Sequence, residues 1–134
     1  MDFNAIFTPG LKGEKQEAVT EQNTATAWGS GNLPVYATPA MIALLEGACV
    51  AAVTELIPDG YSTVGTRVDI SHTAPTPRGM TVRAVGELLE VDGRRLSFRV
   101  EVSDGAGRIG EGRHERFIVE KEKFIKKAEG KKAL

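Results

Sequence analysis

A single carboxylate interrupts an otherwise uncharged run of thirteen residues. Between Met41 and Val53 only Glu46 carries a charge. On a helix its neighbours three and four positions away are Ile42, Ala43, Cys49 and Val50, all apolar. No Lys or Arg lies between Thr38 and Pro58 to pair with it locally. A carboxylate in apolar surroundings costs several kcal/mol unless something compensates it or its pKa rises. Such a residue is kept for chemistry or for a buried polar network. A solvent-facing Glu on an amphipathic helix would have more polar company than this.

An imidazole and a hydroxyl are candidates to join it. His72 is in phase with Val64, Thr66, Val68 and Ile70, so its ring is expected on the core face of a strand. That face meets the helix carrying Glu46, and two ionisable groups aimed into one interior point to a shared site. The bland reading of His72 is a structural histidine bonded to a backbone carbonyl. Thr38 opens the same helix, where a hydroxyl ordinarily caps a backbone N–H. Hydroxyl, carboxylate and imidazole are together the parts of an acyl-transfer site. Gly65 lies on the His72 strand, where a glycine lets a ligand or another backbone come close. Gly47, beside Glu46, has the same potential, and close packing against the sheet explains it equally well.

The elements that must position these groups are legible in outline. Thr38-Pro39 is a helix start, with Thr as the expected N-cap and Pro at the first helical position. The helix should run to about Ile57, before Pro58-Asp59-Gly60. It is apolar on nearly all sides, so something must cover most of it. A first strand is expected over residues 17–28, rich in Thr and Val. Residues 1–16 read as a poorly defined leader, and Gly29-Ser30-Gly31-Asn32 as a flexible connection. After the helix come strand signals over 62–73, 80–91, 94–103 and 108–120, with Asp92-Gly93 as a two-residue hairpin turn. In the third of these, Leu96, Phe98, Val100 and Val102 alternate with polar residues. Strand, long apolar helix, then antiparallel meander is an α+β order. It is best buried if a five-stranded antiparallel sheet wraps around one central helix, the hotdog fold. Such a sheet leaves an edge open, so dimerisation is expected.

Bulk properties narrow the function classes. The 134 residues suit one domain, 1–134, and 41% hydrophobic with 26% charged is ordinary globular composition. A formal net charge of −1 gives no field favouring nucleic acid or a membrane surface. The one basic concentration is the tail over 121–134, six Lys against two Glu, expected to be a solvated terminal helix. A single cysteine, Cys49, excludes an intrachain disulfide, fits a reducing compartment, and reads as a small core residue. No signal peptide and no stretch long enough to span a bilayer is read, so a cytoplasmic location is expected. No metal-ligand cluster is apparent, and the two histidines, His72 and His114, lie far apart.

Four segments resemble a known family. They are Val35-Tyr36-Ala37-Thr38 with Leu45 to Val50, Gly65 to Pro77, Glu90 to Ser97, and Ile109 to Arg116. Together, over roughly residues 34 to 125, they are similar to the fluoroacetyl-CoA thioesterase-like branch of the hotdog thioesterases. The resemblance implies a homodimeric acyl-CoA hydrolase, with a dimer of dimers as the larger alternative, and no cofactor beyond the CoA of its substrate. It implies catalytic roles for Thr38, Glu46 and His72. It implies that Gly65 approaches the thioester and that Arg116 stands near the site. One departure is visible: where the fluoroacetyl specialist carries bulky aromatics ahead of Tyr36, this chain has Gly29-Ser30-Gly31-Asn32, with Trp28 further back. A more open lid and a preference for other acyl groups are therefore expected. The rival expectations are another hotdog acyl-CoA enzyme, a dehydratase or hydratase, and a non-catalytic acyl-CoA binder.

Overall fold

The computed structural model describes all residues from Met1 to Leu134. Its centre is helix α3, Thr38–Val53, continued by a 3-10 turn over Thr54–Leu56. Pro39 fits the first turn, where its missing N–H leaves no bond unmade. The residue in the N-cap position is Ala37, not Thr38, and no side chain caps the helix. Ala40, Met41, Leu44, Leu45, Ala48, Cys49, Ala52 and Val53 are buried. Ala43, Val50 and Ala51 on the other side are exposed.

A five-stranded, wholly antiparallel sheet curls over the buried side in the order β1-β3-β4-β5-β2. The strands are β1 Lys12–Ala18, β2 Tyr61–His72, β3 Thr81–Asp92, β4 Arg95–Asp104 and β5 Gly107–Glu120. Inward residues of β3 and β4, among them Val82, Ala84, Leu88, Leu96, Phe98 and Val100, complete one core with α3. Gly13 lies directly against the helix backbone at Ala48 and Ala52; a side chain there would collide with it. This is the hotdog arrangement expected from the order of elements.

Several local expectations are corrected. The first strand is β1, five residues ahead of the predicted start. Residues Glu21–Asn23 and α2, Ala25–Trp28, are single helical turns instead. Thr20 and Thr24 accept hydrogen bonds from Gln22 and Ala27 N–H groups, so these threonines are caps and not strand residues. Gly29 ends α2 in the left-handed conformation at φ 67°. The leader is ordered: Phe3, in the short helix α1 (Phe3–Ile6), and Phe7 are buried in the core. The 19-residue stretch Thr38–Leu56 is long and apolar enough to cross a membrane, contrary to expectation. Its packing under the sheet accounts for that apolarity. The C-terminal helix α4, Lys121–Gly130, has no buried residue, as a solvated basic helix should.

Candidate active site

Strand β2 carries the site on its helix-facing side because its alternation is broken once. A bulge between Gly65 and Arg67 inserts Thr66 into the pairing with β5. Beyond the bulge, Val68, Ile70 and His72 keep the expected phase. Before it, the helix-facing residues are Thr63 and Gly65 instead of Val64. The bulge therefore aims three groups at one helix that strict alternation would have divided between two faces.

Thr38 and His72 meet. The Thr38 Oγ1 lies 2.7 Å from His72 Nδ1, joining the first turn of α3 to the last residue of β2. Freed from capping, the hydroxyl binds the imidazole. Burial pushes the His72 pKa below its ordinary value, with the Ala74 backbone pulling weakly the other way. The ring is thus neutral at pH 7. Its Nε2 is buried without a hydrogen-bond partner. Nδ1 is the nitrogen that meets Thr38, and the hydroxyl donates to it or accepts from it according to the tautomer.

Glu46 stands elsewhere, on the second turn beyond. Eight residues separate it from Thr38, a rise of about 12 Å along the helix. Its compensation comes from 70 residues away. Arg116 Nη1 donates to Glu46 Oε2 at 3.2 Å, and the carboxylate is 38% exposed, not sealed in an apolar interior. The guanidinium is itself clamped. Nε donates to Thr63 Oγ1 at 2.9 Å, Nη2 to the Thr63 carbonyl at 3.0 Å, and Nη1 also to His114 Nε2 at 3.1 Å. His114, fully buried, donates Nδ1–H to the Arg67 carbonyl at 2.8 Å, which leaves Nε2 as the acceptor. Burial, reinforced by Arg116, lowers the His114 pKa, so it too is neutral. Glu46 Oε1 is left free to accept.

Gly65 holds the carboxylate from the other side. A Cβ there would lie 2.6 Å from Glu46 Oε2 and 3.2 Å from His114 Cε1. Absence of a side chain is what lets the carboxylate lie against the strand. Cys49 is nearby but inert: burial pushes its thiol up to about 12.

Of the five residues singled out from sequence, the structure therefore joins Thr38 to His72 and Glu46 to Arg116 with Gly65. It does not bring the two groups into contact within one chain. His114 and Thr63 were missed. The signal for His114 was present: Ile118 points inward on β5, and the same phase takes Arg116 and His114 inward.

Residues 19–122 match the protein family described as fluoroacetyl-CoA-specific thioesterase. The fluoroacetyl-CoA thioesterase of Streptantibioticus cattleyicolor is 45% identical over 97 residues, which cover 72% of this chain and 70% of that protein. A variant of the fluoroacetyl-CoA thioesterase FlK, solved in complex with acetyl-CoA, superposes with a TM-score of 0.88 at 35% identity, covering 93% of this chain and 98% of that one. A hot-dog-like protein from Thermanaerovibrio acidaminovorans reaches a TM-score of 0.88 at 24% identity, over 98% and 97% of the two chains, a likeness of fold.

Proposed function

The chain belongs to the fluoroacetyl-CoA-specific thioesterase family and is an acyl-CoA thioesterase; from this we propose that Thr38, His72 and Glu46 carry the hydrolysis, in sites completed across a homodimer. The observation that carries the dimeric reading is the separation of Glu46 from the Thr38–His72 pair along one helix. Three further features support it. Strand β2 is one of the two edges of the sheet, and its residues Gly65 to Asp69 are exposed, including Val68 at 39%. Antiparallel pairing of two β2 strands about Val68 would set Arg67 opposite the partner's Asp69, twice over. The same register sets Val64 opposite the partner's His72, and so Glu46, which lies against Gly65, beside the partner's Thr38–His72 pair. The exposed Ala43 and Val50 on α3 would be covered by the same approach.

In the proposed reaction, Glu46 Oε1 takes a proton from water as the water oxygen attacks the thioester carbonyl carbon. The negative charge that develops on the carbonyl oxygen is met by the Thr38 hydroxyl, held by His72, and by the uncapped N-terminus of α3. Collapse breaks the C–S bond, and the leaving CoA thiolate takes the proton from Glu46. Acyl-CoA and water give the free acid and CoA thiol. Arg116, itself clamped by Thr63 and His114, fixes the carboxylate in place. These steps use side chains of the protein alone, with no cofactor. The free, buried Cys49 supports a reducing, cytoplasmic setting.

Subunit mixing tests the composite site. Glu46→Gln and His72→Asn enzymes should each lose ~10²–10⁴-fold in kcat. Unfolded together and refolded, they form heterodimers in which one site carries both changes and the other neither. Thiol release should return to about one quarter of wild type for random dimer assembly. No recovery, with heterodimers confirmed by mass, would place the whole site within one chain.

A further inference from the structure

Beside the Thr38–His72 pair lies a cavity of about 310 Å³. Its walls are Ala25, Val35, Tyr36, Thr73, Ala74 and Pro75, with Ser30 at the rim. Backbone bonds hold those walls apart in advance: Ala25 N–H to the Val35 carbonyl at 2.8 Å, and Tyr36 N–H to the Thr76 carbonyl at 2.9 Å. No side chain of the same chain closes the cavity. The Trp28 indole is tied back by its Nε1–H to the Gln22 carbonyl at 2.8 Å and is 47% exposed. Leu33 is 63% exposed.

We propose that this cavity is the acyl-chain site, and that it takes apolar acyl groups of about six to ten heavy atoms in preference to acetyl or fluoroacetyl. The inference rests on the thioesterase reading and gives it a substrate class. Two arguments carry it. The first is chemical character. No Lys or Arg lines this cavity, which makes it a poor seat for the polyanionic CoA portion and leaves the acyl group as its occupant. The second is size. At ~30 Å³ for each water-sized group, the space holds roughly ten such groups. A fluoroacetyl group would fill less than half of it and leave the rest to water. The apolar part of that wall rewards a group that covers it, by about fourfold for each methylene buried.

The experiment is thiol release by the purified enzyme from acetyl-, fluoroacetyl-, butanoyl-, hexanoyl- and phenylacetyl-CoA. We expect kcat/KM for hexanoyl-CoA to exceed that for acetyl-CoA by at least ~30-fold, with fluoroacetyl-CoA also below hexanoyl-CoA. Ser30→Phe, a change at an exposed rim residue, should cut the hexanoyl-to-acetyl ratio by ~10-fold or more. Hexanoate should inhibit competitively at far lower concentration than acetate, a measurement that needs no variant. Best turnover of fluoroacetyl- or acetyl-CoA, equal turnover of all, an unchanged ratio in the Ser30→Phe enzyme, or equal inhibition by the two acids would each overturn the proposal while leaving the thioesterase reading intact. Absence of thiol release from every substrate would instead refute that reading.

Discussion

Replacing Gly65 by alanine separates the position of the carboxylate from the stability of the fold. The added Cβ would lie 2.6 Å from Glu46 Oε2, against an ordinary contact of about 3.4 Å. Something must move by about 0.8 Å. The backbone of β2 is held by its pairing with β5, whereas the carboxylate is the far end of a half-exposed side chain. Glu46 is therefore what moves. Its bond to Arg116, already 3.2 Å long, breaks or reorients. Gly65 is not in a left-handed conformation, so alanine brings no backbone strain. It also reduces the freedom of the unfolded chain by ~0.4–1 kcal/mol, which offsets much of the lost ion pair. Net stability should change by no more than ~1 kcal/mol. Activity should not be spared, because a misplacement of about 1 Å in a reacting group can cost 10²-fold. The assay pairs kcat for the best acyl-CoA with a urea unfolding curve at one fixed protein concentration. A Gly65→Ala enzyme within threefold of wild-type kcat would refute the claim that this contact sets the carboxylate. So would a variant that lost activity only because it had unfolded.

Other outcomes follow from the same geometry. Arg116→Met should destabilise the protein towards the lower end of the ~3–5 kcal/mol seen when one partner of a buried pair is removed, because water can reach the half-exposed Glu46; chemical denaturation checks this. Stability should fall as pH is lowered from 7 to 5. His72 and His114 have pKa values depressed in the fold, so the unfolded chain takes up protons first, below about 6.5, and the loss continues until the folded pKa is reached. His114→Gln should flatten part of that slope in urea titrations at pH 5, 6 and 7; an unchanged slope would remove His114 from the account. Light scattering at micromolar concentration should give twice the 14.4 kDa chain mass or a multiple of that, and a mass near 14.4 kDa would end the composite-site reading.

What the sequence disclosed, and what it hid, divides by the range of the interaction. Helix α3 and strands β3 to β5 were readable because each has a strong local signature: an unbroken apolar run, strict alternation, or the Asp92-Gly93 turn. Strand β1 was not, since Lys-Gly-Glu-Lys-Gln-Glu-Ala is an edge strand paired on one side only, with little apolar pattern to display. The bulge at Thr66 was scarcely more legible. One inserted residue changes which side chains face the helix, and its one local mark, Gly65, fits close approach of a ligand equally well. At the candidate site, isolation of Glu46 within its own helix was visible, and it was a sound reason to look there. Its compensation was invisible locally because Arg116 sits 70 residues away and reaches Glu46 only through the β2–β5 pairing. The Thr38 capping role failed for a related reason. A hydroxyl at a helix start has two uses, and a histidine 34 residues away decides between them. Local chemistry thus nominated the candidate groups by type, while long-range pairing determined their partners. In the proposed dimer, the step from pairs to a complete site lies one level further out, in the edge of β2. Arg67 and Asp69 flank Val68 there with opposite charges, a pattern that has little use within one chain. The two are largely solvated and 4.0 Å apart in the single chain. It acquires a use when a second β2 is laid antiparallel beside the first.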